Sequence, residues 1–524
     1  MSNLNYFLIS CSWPYYEKVA ESLEKTINSS PAVWTAHPSR LEELTRKFPN
    51  TKVLNAHDLT CADLSVVEDA IYPAPLSIDS LSPSWQEKYS FERAMVMDNL
   101  LHRSDFGGRY SHAELLDIVN DYFIAADSLI KKFSPKLIYF EVPPHTMYDL
   151  AIYYLALSNN IKTLMVYDTC VPAVSVFLTK FNDANGIYQL SKLQQSRYEE
   201  KKNLFSTYCE NIKNTNPFYM SSVVEWNGLK RTKEAIKLAI ITIRHIIKER
   251  IQKLIRDKLN NRVGGNLKRA GYSKKRGVLL KDETASQLDI LKEYFINWNL
   301  ESIYKKASHD FNINKIVDNE NYVYIPLSMQ IEMTTMPSAG RMFDQKAYIR
   351  MVCSALPNGW IPIVKENPKQ FTNLTGAPSR DKRFYSDLKQ MGVLFAPLDF
   401  PSSKLIAKSK AVIVTTGTAG FEAIVGYRKP VISFAYTWYS SLPGCRVIFS
   451  MDELNNTFED LECERWKVEV KDVDSALAGL SEKCVYLWGE GATIEEKKWD
   501  MKSIISNIST CISLKLYENG RLGD

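Results

Sequence analysis

Residues 411–444 read AVIVTTGTAGFEAIVGYRKPVISFAYTWYSSLPG. An apolar run, Ala411–Val414, meets Thr415, Thr416, Gly417, Thr418, Ala419 and Gly420, then a helix-like segment over 421–427 and a second apolar run over 430–434. The order is strand, tight turn, helix, strand, the repeating unit of a parallel sheet covered by helices. The first N–H groups of a helix lack partners and the helix dipole adds partial positive charge, so such a turn can hold a phosphate. It equally suits a plain turn in which the glycines relieve crowding and Thr418 caps the helix. The surrounding sequence has to decide.

Towards the N-terminus the same alternation continues. Strands are predicted over 322–326, 361–365 and 393–396, with helices over 345–356, 383–390 and 402–408 between them. This gives a doubly wound domain over 314–490. A similar pattern opens the chain, with strands over 5–10, 32–36 and 52–55 and helices over 84–104 and 112–133. In KLIYFEVPPHTMYDLAIYYLALSNNIKTLMVYDT a strand over 137–140 ends in Glu141, a helix runs over 145–158, and a strand over 163–167 ends in Asp168. Ligands of open α/β sheets bind beyond the carboxyl ends of strands, where both acids fall. The alternative roles are a solvated strand-end acid for Glu141, a turn or cap residue for Asp168, and an ordinary first-turn residue for His145. Residues 1–190 form the expected first Rossmann-like domain.

Between the halves, 191–313 is expected to be a helical insert, polar over 187–214 and strongly basic further on. Residues 230–276 carry 16 Lys/Arg against three acids, a net charge of +13, which leaves −8 for the rest of a chain whose total is +5. Residues 230–260 place Ile and Leu on one stripe and Lys/Arg elsewhere, a pattern that suits an anionic membrane surface, an acidic polymer or a solvated helix packed on a domain. Only Tyr272 interleaves as an aromatic over 230–276, which argues against a nucleic-acid-binding arm. Residues 474–487 and 493–508 are expected as closing helices, with 491–524 forming the last helix and tail.

The 524 residues are 45% hydrophobic and 24% charged, an ordinary globular composition. No apolar run is long enough to span a membrane and the N-terminus lacks signal-peptide features, so a cytoplasmic location is expected. Nine cysteines without a CxxC pair suit reduced thiols, and seven histidines show no close ligand spacing, so no metal is expected. Asp472-Val473-Asp474 reads as a helix cap rather than a metal turn.

The segments YIPLSMQIEMTTMPSAGRMFDQ, ALPNGWIPIVKENP and VIVTTGTAGFEAIVGYRKPVISFAYTWYSSLPG together resemble the capsule polysaccharide synthesis family of bacterial glycosyltransferases. That family has a strand ending in Lys-Glu-His-Pro, a Gly-Thr-x-Gly-x-Glu-Ala helix start and a Trp-Tyr-x-x-Leu-Pro-Gly loop. FEVPPH is similar to its Pro-His element in the first half. The resemblance implies a GT-B arrangement, two Rossmann-like domains facing a cleft, and a nucleotide-sugar held mainly by the second. Some members are similar to retaining transferases of CMP-activated 2-keto sugars such as Kdo. By motif match, Lys365, Glu366, Asn367 and Pro368 and Thr416, Gly417, Thr418, Gly420 and Glu422 are the donor-binding candidates. Asn367 departs from the family's His; an amide can donate a hydrogen bond but carries no proton.

Departure of a nucleotide builds negative charge on phosphate oxygens, which N–H groups, hydroxyls and Lys365 would stabilise. A retaining double displacement needs a carboxylate nucleophile and an acid/base group, which makes Glu141 and Asp168, with His145 nearby, the catalytic candidates. Trp438 and Tyr439 either wall the pocket or pack in the core. The expected partners are a nucleotide-sugar as substrate, with no separate cofactor, a glycan or lipid-linked glycan acceptor, and an anionic inner-membrane surface through 230–276. A UDP- or GDP-hexose donor and a non-catalytic assembly or export partner are the alternatives.

Overall fold

The computed structural model describes residues 4–78, 81–103, 111–213, 287–312, 321–330, 332–371, 380–487 and 500–518. Two open sheets organise them. The first has the order β14-β6-β5-β4-β1-β2-β3, with β7 paired to β6. Its strands are β1 (Tyr6–Ile9), β2 (Val33–Ala36), β3 (Lys52–Asn55), β4 (Leu137–Phe140), β5 (Lys162–Asp168), β6 (Val174–Leu178), β7 (Ile187–Tyr188) and β14 (Cys484–Tyr486). β1 to β5 are parallel, while β6, β7 and β14 run antiparallel to their neighbours. The second sheet has the order β10-β9-β8-β11-β12-β13 and is parallel throughout. It is built from β8 (Tyr322–Pro326), β9 (Ile361–Lys365), β10 (Leu394–Phe395), β11 (Ala411–Val414), β12 (Val431–Ser433) and β13 (Cys445–Val447).

These are the two Rossmann-like sheets of the GT-B arrangement. Strands β1, β4, β11 and β12 are buried at every position, as parallel strands covered on both faces must be. One apolar cluster runs from the first sheet through Tyr167 to Phe421, Trp438 and Tyr439 in the second, so the halves share packed side chains. A further cluster lies between the first sheet and the helices Tyr15–Ile27 and Met501–Tyr517. Burying such side chains contributes roughly 1.5–3 kcal/mol each.

Several elements differ from the sequence reading. Residues 187–188 are a strand rather than the start of a helix, because they pair with Phe177 and Leu178. The helix expected to reach 487 spans Val470–Lys483; Cys484–Tyr486 then pair with Val174–Val176 of the first sheet. Helix Met501–Tyr517 follows onto that sheet's face. The chain therefore returns to its first half before it ends. Asp472 and Asp474 lie inside Val470–Lys483, whose N-cap is Glu469, so they do not form its cap. Within the expected insert, Leu300 and Tyr304 of helix Gln287–Ala307 belong to the core of the second sheet. The basic helix expected over 230–260 and the loop after it lie outside the described residues.

All nine cysteines are free thiols. Among the described residues no helix is long and apolar enough to cross a membrane, and no three His, Cys, Asp or Glu side chains are grouped to hold a metal.

Candidate functional site

In each sheet the strand order reverses once, and the crevice at a reversal, beyond the carboxyl ends of the strands, is where α/β folds bind ligands. In the first sheet the reversal lies between β1 and β4. A cavity of about 160 Å³ opens there, lined by Ser10 after β1, Glu141 after β4 and Asp168 at the end of β5. Tyr15, Tyr16, Ile504 and Ile508 close it from the covering helices. The structure thus brings the two acids to one pocket.

Both carboxylates are held by short-range donors. The Ser12 N–H donates to Glu141 Oε2 at 3.1 Å, and Ser175 Oγ donates to Asp168 Oδ1 at 3.0 Å. Ser10, at φ 58°, bonds both oxygens of buried Asp149 at 3.2 Å and meets the Tyr148 hydroxyl at 2.7 Å. This third carboxylate escaped the sequence reading because it lies in the first turn of helix Met147–Ser158 rather than at a strand end. The field here is negative: burial, then Glu141 and Asp149, push the Cys11 thiol well above its ordinary value. His145 does not line this cavity. Its Nδ1 is 2.8 Å from the Pro143 carbonyl, and its own carbonyl accepts from Asn99.

In the second sheet the reversal falls between β8 and β11. A cavity of about 280 Å³ lies over it, bounded by Tyr324 and Pro326 of β8, Lys365–Pro368 after β9, Asp399–Ser403 after β10, and Ala419 and Glu422 of helix Thr418–Tyr427. Lys365 is 6% exposed, and its Nζ donates to Ser402 Oγ at 3.1 Å. Burial lowers its pKa to about 8 against a partial offset from Asp399. Burial raises Glu422 to about 7. Two ionisable groups that burial pushes towards neutrality thus border one cavity.

Glu366 borders this cavity, but its carboxylate is committed to protein partners. Its carboxylate accepts from Arg380 at 2.9 and 3.1 Å and from the Tyr385 hydroxyl at 2.7 Å, all buried. It also accepts from the Asn367 N–H at 2.9 Å, and its own N–H donates to Tyr304. Glu366 therefore fixes the backbone of the box while its charge is consumed internally. Removing one partner of such a buried pair leaves an uncompensated charge, which makes the arrangement rigid. Asn367 accepts from the Lys369 N–H at 3.0 Å and so caps the short turn Pro368–Phe371; its Nδ2 hydrogens are what it can offer a ligand.

The glycine turn divides its residues. Gly417 is the N-cap of helix Thr418–Tyr427 and no side chain caps it, so Thr418 is the first helical residue rather than the cap. Gly420 lies under Tyr439: a Cβ there would stand 2.4 Å from the phenol oxygen. The Tyr439 hydroxyl donates to the Gly417 carbonyl. Gly420 thus serves close packing, and fully buried Tyr439 is core rather than pocket wall. Trp438 packs against Phe421, ring centroids 4.6 Å apart and planes tilted by 37°, and borders a separate cavity between the halves, together with Thr416. The Thr416 hydroxyl donates to the Thr334 carbonyl.

The structure does not gather all the candidates into one pocket. Glu141 and Asp168 share the first crevice, Lys365 to Pro368 and Glu422 the second, and Thr416 and Trp438 the space between. Asp399, Ser402 and Lys213 also reach the second cavity. Asp399 and Ser402 follow β10 just as Lys365 ends β9, a position rule that would have found them in the sequence.

No family model and no curated protein matches the chain. Among solved structures, UDP-GlcNAc 2-epimerase from Neisseria meningitidis bound to UDP-GlcNAc aligns with 98% of this chain and 100% of its own, at 10% identity and TM-score 0.21. Thermosulfurimonas dismutans KpsC, a beta Kdo 2,7 transferase, aligns with 71% of this chain and 97% of its own, at 10% identity and TM-score 0.26. The N-terminal domain of Candida albicans trehalose-6-phosphate phosphatase aligns with 99% and 97%, at 11% identity and TM-score 0.27. Such identities and TM-scores assign no activity to this chain.

Proposed function

We propose that this protein is a glycosyltransferase of bacterial surface polysaccharide synthesis, moving a sugar from a nucleotide donor to a glycan or lipid-linked glycan. The observation that carries this reading is the pair of crevices. One is bordered by a buried cation, an amide and a helix start suited to phosphate. The other holds two carboxylates at strand ends.

In the second crevice, the Lys365 ammonium and the Asn367 amide bind the phosphate, whose charge grows as the nucleotide leaves; donors fixed in advance stabilise that charge most in the transition state. Since Asn367 cannot release a proton, leaving-group stabilisation is electrostatic there. In the first crevice one carboxylate bonds to the anomeric carbon as the nucleotide leaves; the acceptor hydroxyl then gives its proton to the other carboxylate and displaces the first from that carbon, a retaining double displacement. The reaction as proposed uses no metal. The motif resemblance favours a CMP-activated 2-keto sugar such as Kdo as donor.

A thermal-shift titration with CMP, CDP, UDP and GDP tests the reading, because a ligand of the folded state raises the midpoint. Stabilisation by CMP alone supports the keto-sugar donor. Stabilisation by UDP or GDP replaces it with a hexose donor, and no response to any nucleotide makes a non-catalytic assembly partner the better reading, as Asn367 would suit. The +13 charge of 230–276 is further proposed to hold the enzyme on anionic lipid. Equal flotation with neutral and anionic liposomes would refute that attachment.

A further inference from the structure

Asp149 lies behind the first crevice rather than in it. It is 2% exposed, sits in the first turn of helix Met147–Ser158, and is not among the residues that line the cavity. Negative charge at that end of a helix is favoured by the helix dipole. What the carboxylate touches is the loop after β1. Ser10 Oγ donates to its two oxygens at 3.2 Å, and Ser10 holds φ 58°, a conformation uncommon outside glycine. Such a backbone persists only where its surroundings impose it.

The surroundings here are a set of directed hydrogen bonds. The Ser10 N–H donates to Thr35 Oγ1 at 2.7 Å, Trp34 Nε1 to the Cys11 carbonyl at 2.8 Å, and the His37 N–H to Ser12 Oγ at 3.0 Å. β2 and the residue after it thus anchor the loop three times, and Thr35 and Trp34 are buried. Asp149 and the Tyr148 hydroxyl, 2.7 Å from Ser10 Oγ, anchor it from the helix. One donor of this loop serves the crevice: the Ser12 N–H, 3.1 Å from Glu141 Oε2. A bond to an ionised acceptor is short and directional, so where Ser12 stands decides how the Glu141 oxygens are aimed.

We infer that Asp149 and Ser10 are positioning residues for Glu141, acting through residues 10–12 and the Ser12 N–H. A carboxylate that meets a reacting carbon or proton must be held closely, since a displacement of about 1 Å can cost roughly 10²-fold. The placement of Glu141 stands on the hydrogen bonds alone; its value for turnover rests on the transferase reading.

The test uses the full chain labelled with ¹⁵N-serine, the Ser12 amide resonance being identified by its loss in Ser12→Ala. Glu141→Gln replaces a charged acceptor with a neutral one and should move that resonance upfield. Ser10→Gly removes the hydroxyl at a φ that glycine adopts freely, and Asp149→Leu removes its acceptor. Each is expected to give at least half of the Glu141→Gln displacement. Each should also lower kcat for hydrolysis of CMP-Kdo or UDP-glucose roughly ten-fold, with KM within about two-fold of wild type. Should Asp149→Leu not fold, Ser10→Gly decides alone. Asp149→Asn, whose amide oxygen still accepts from Ser10, should keep most of the wild-type signal and turnover. Tyr153→Phe loses the bond from the Phe181 N–H on the same helix and controls for loosened packing; it should leave both readouts at wild-type values. An unmoved Ser12 resonance in Ser10→Gly or in Glu141→Gln overturns the inference, as does a displaced resonance with unchanged kcat. If wild type hydrolyses neither donor while Ser12 moves as expected, the transferase reading falls and the placement of Glu141 stands.

Discussion

Glu141 and Asp168 in the first crevice are each held by a nearby donor, the Ser12 N–H and the Ser175 hydroxyl. Lys365 is buried and Glu422 half-buried in the second with far less compensation: a single serine hydroxyl for the lysine and, among the described residues, no hydrogen bond or ion pair for the glutamate. The same topological feature therefore carries two electrostatic designs. On the proposed reading, one fixes negative groups where positive charge would develop on a sugar, and the other keeps a cation desolvated until a phosphate arrives. The contrast teaches that the location follows from topology, whereas the task follows from which partners a charged group is given.

The largest effect should come from the first crevice. Glu141→Gln and Asp168→Asn keep shape and remove charge, and each is expected to lower turnover roughly 10²–10⁴-fold, the range for a positioned acid, base or nucleophile. The CMP or UDP thermal shift should stay at the wild-type value in both. Unchanged turnover in either variant removes that residue from the chemistry. Loss of the nucleotide shift would instead break the division of labour between the crevices.

Next in size is Lys365→Met. Losing a charged hydrogen bond to phosphate is expected to weaken nucleotide binding roughly 10–100-fold. The unliganded protein should become more stable at pH 7, by on the order of 1–3 kcal/mol, because burial disfavours the ammonium. The sign follows from titration. Lys365 falls from 10.5 to about 8 on folding, so the charged lysine costs stability below pH 8, and the cost is relieved as pH rises from 8 to 10.5. Glu422 rises from 4.5 to about 7, so the wild type loses stability as pH rises from 4.5 to 7. The cavity is also bordered by Lys213, Asp399, Tyr324 and Tyr427, while Glu366 is committed to Arg380. Phosphate binding should therefore weaken from pH 6 to pH 9, as Glu422 ionises and Lys365 loses its proton. Glu422→Gln should flatten the part near pH 7. A pH-independent nucleotide affinity in the wild type would contradict the coupling.

Much of this was legible because parallel strands announce themselves as short, wholly apolar runs. β1, β4, β5, β9 and β11 stand out from their flanks, and Glu141 and Asp168 are visible as the acids that end two of them. The Lys365–Pro368 box sits at a strand end for the same reason. What stayed hidden depends on distant partners. Cys484–Tyr486 continue a helical pattern, and their strand character exists only through pairing with Val174–Val176, some three hundred residues earlier. β6 and β13 carry no turn signal as clear as the glycine loop. Glu366 reads as a donor ligand by motif, yet Arg380, Tyr385 and Tyr304 claim it, and no local period places those three around one carboxylate.

The smallest predicted effect bears on the glycine turn, where sequence alone could not separate phosphate binding from packing. At Gly420 an added methyl would meet the Tyr439 oxygen at 2.4 Å and its ring carbon at 3.0 Å, within a core where Tyr439 is fully buried. Gly420→Ala should therefore cost about 1–3 kcal/mol of stability, the usual penalty of overpacking. Pairing it with Tyr439→Phe removes the nearer clash but also the bond to the Gly417 carbonyl, so only part of the loss should return. Nucleotide affinity measured on the folded fraction should stay at the wild-type value, because the clash lies on the core side of the turn. If affinity falls while the melting temperature holds, Gly420 faces the phosphate, and the second crevice extends further along the helix start than its lining residues indicate.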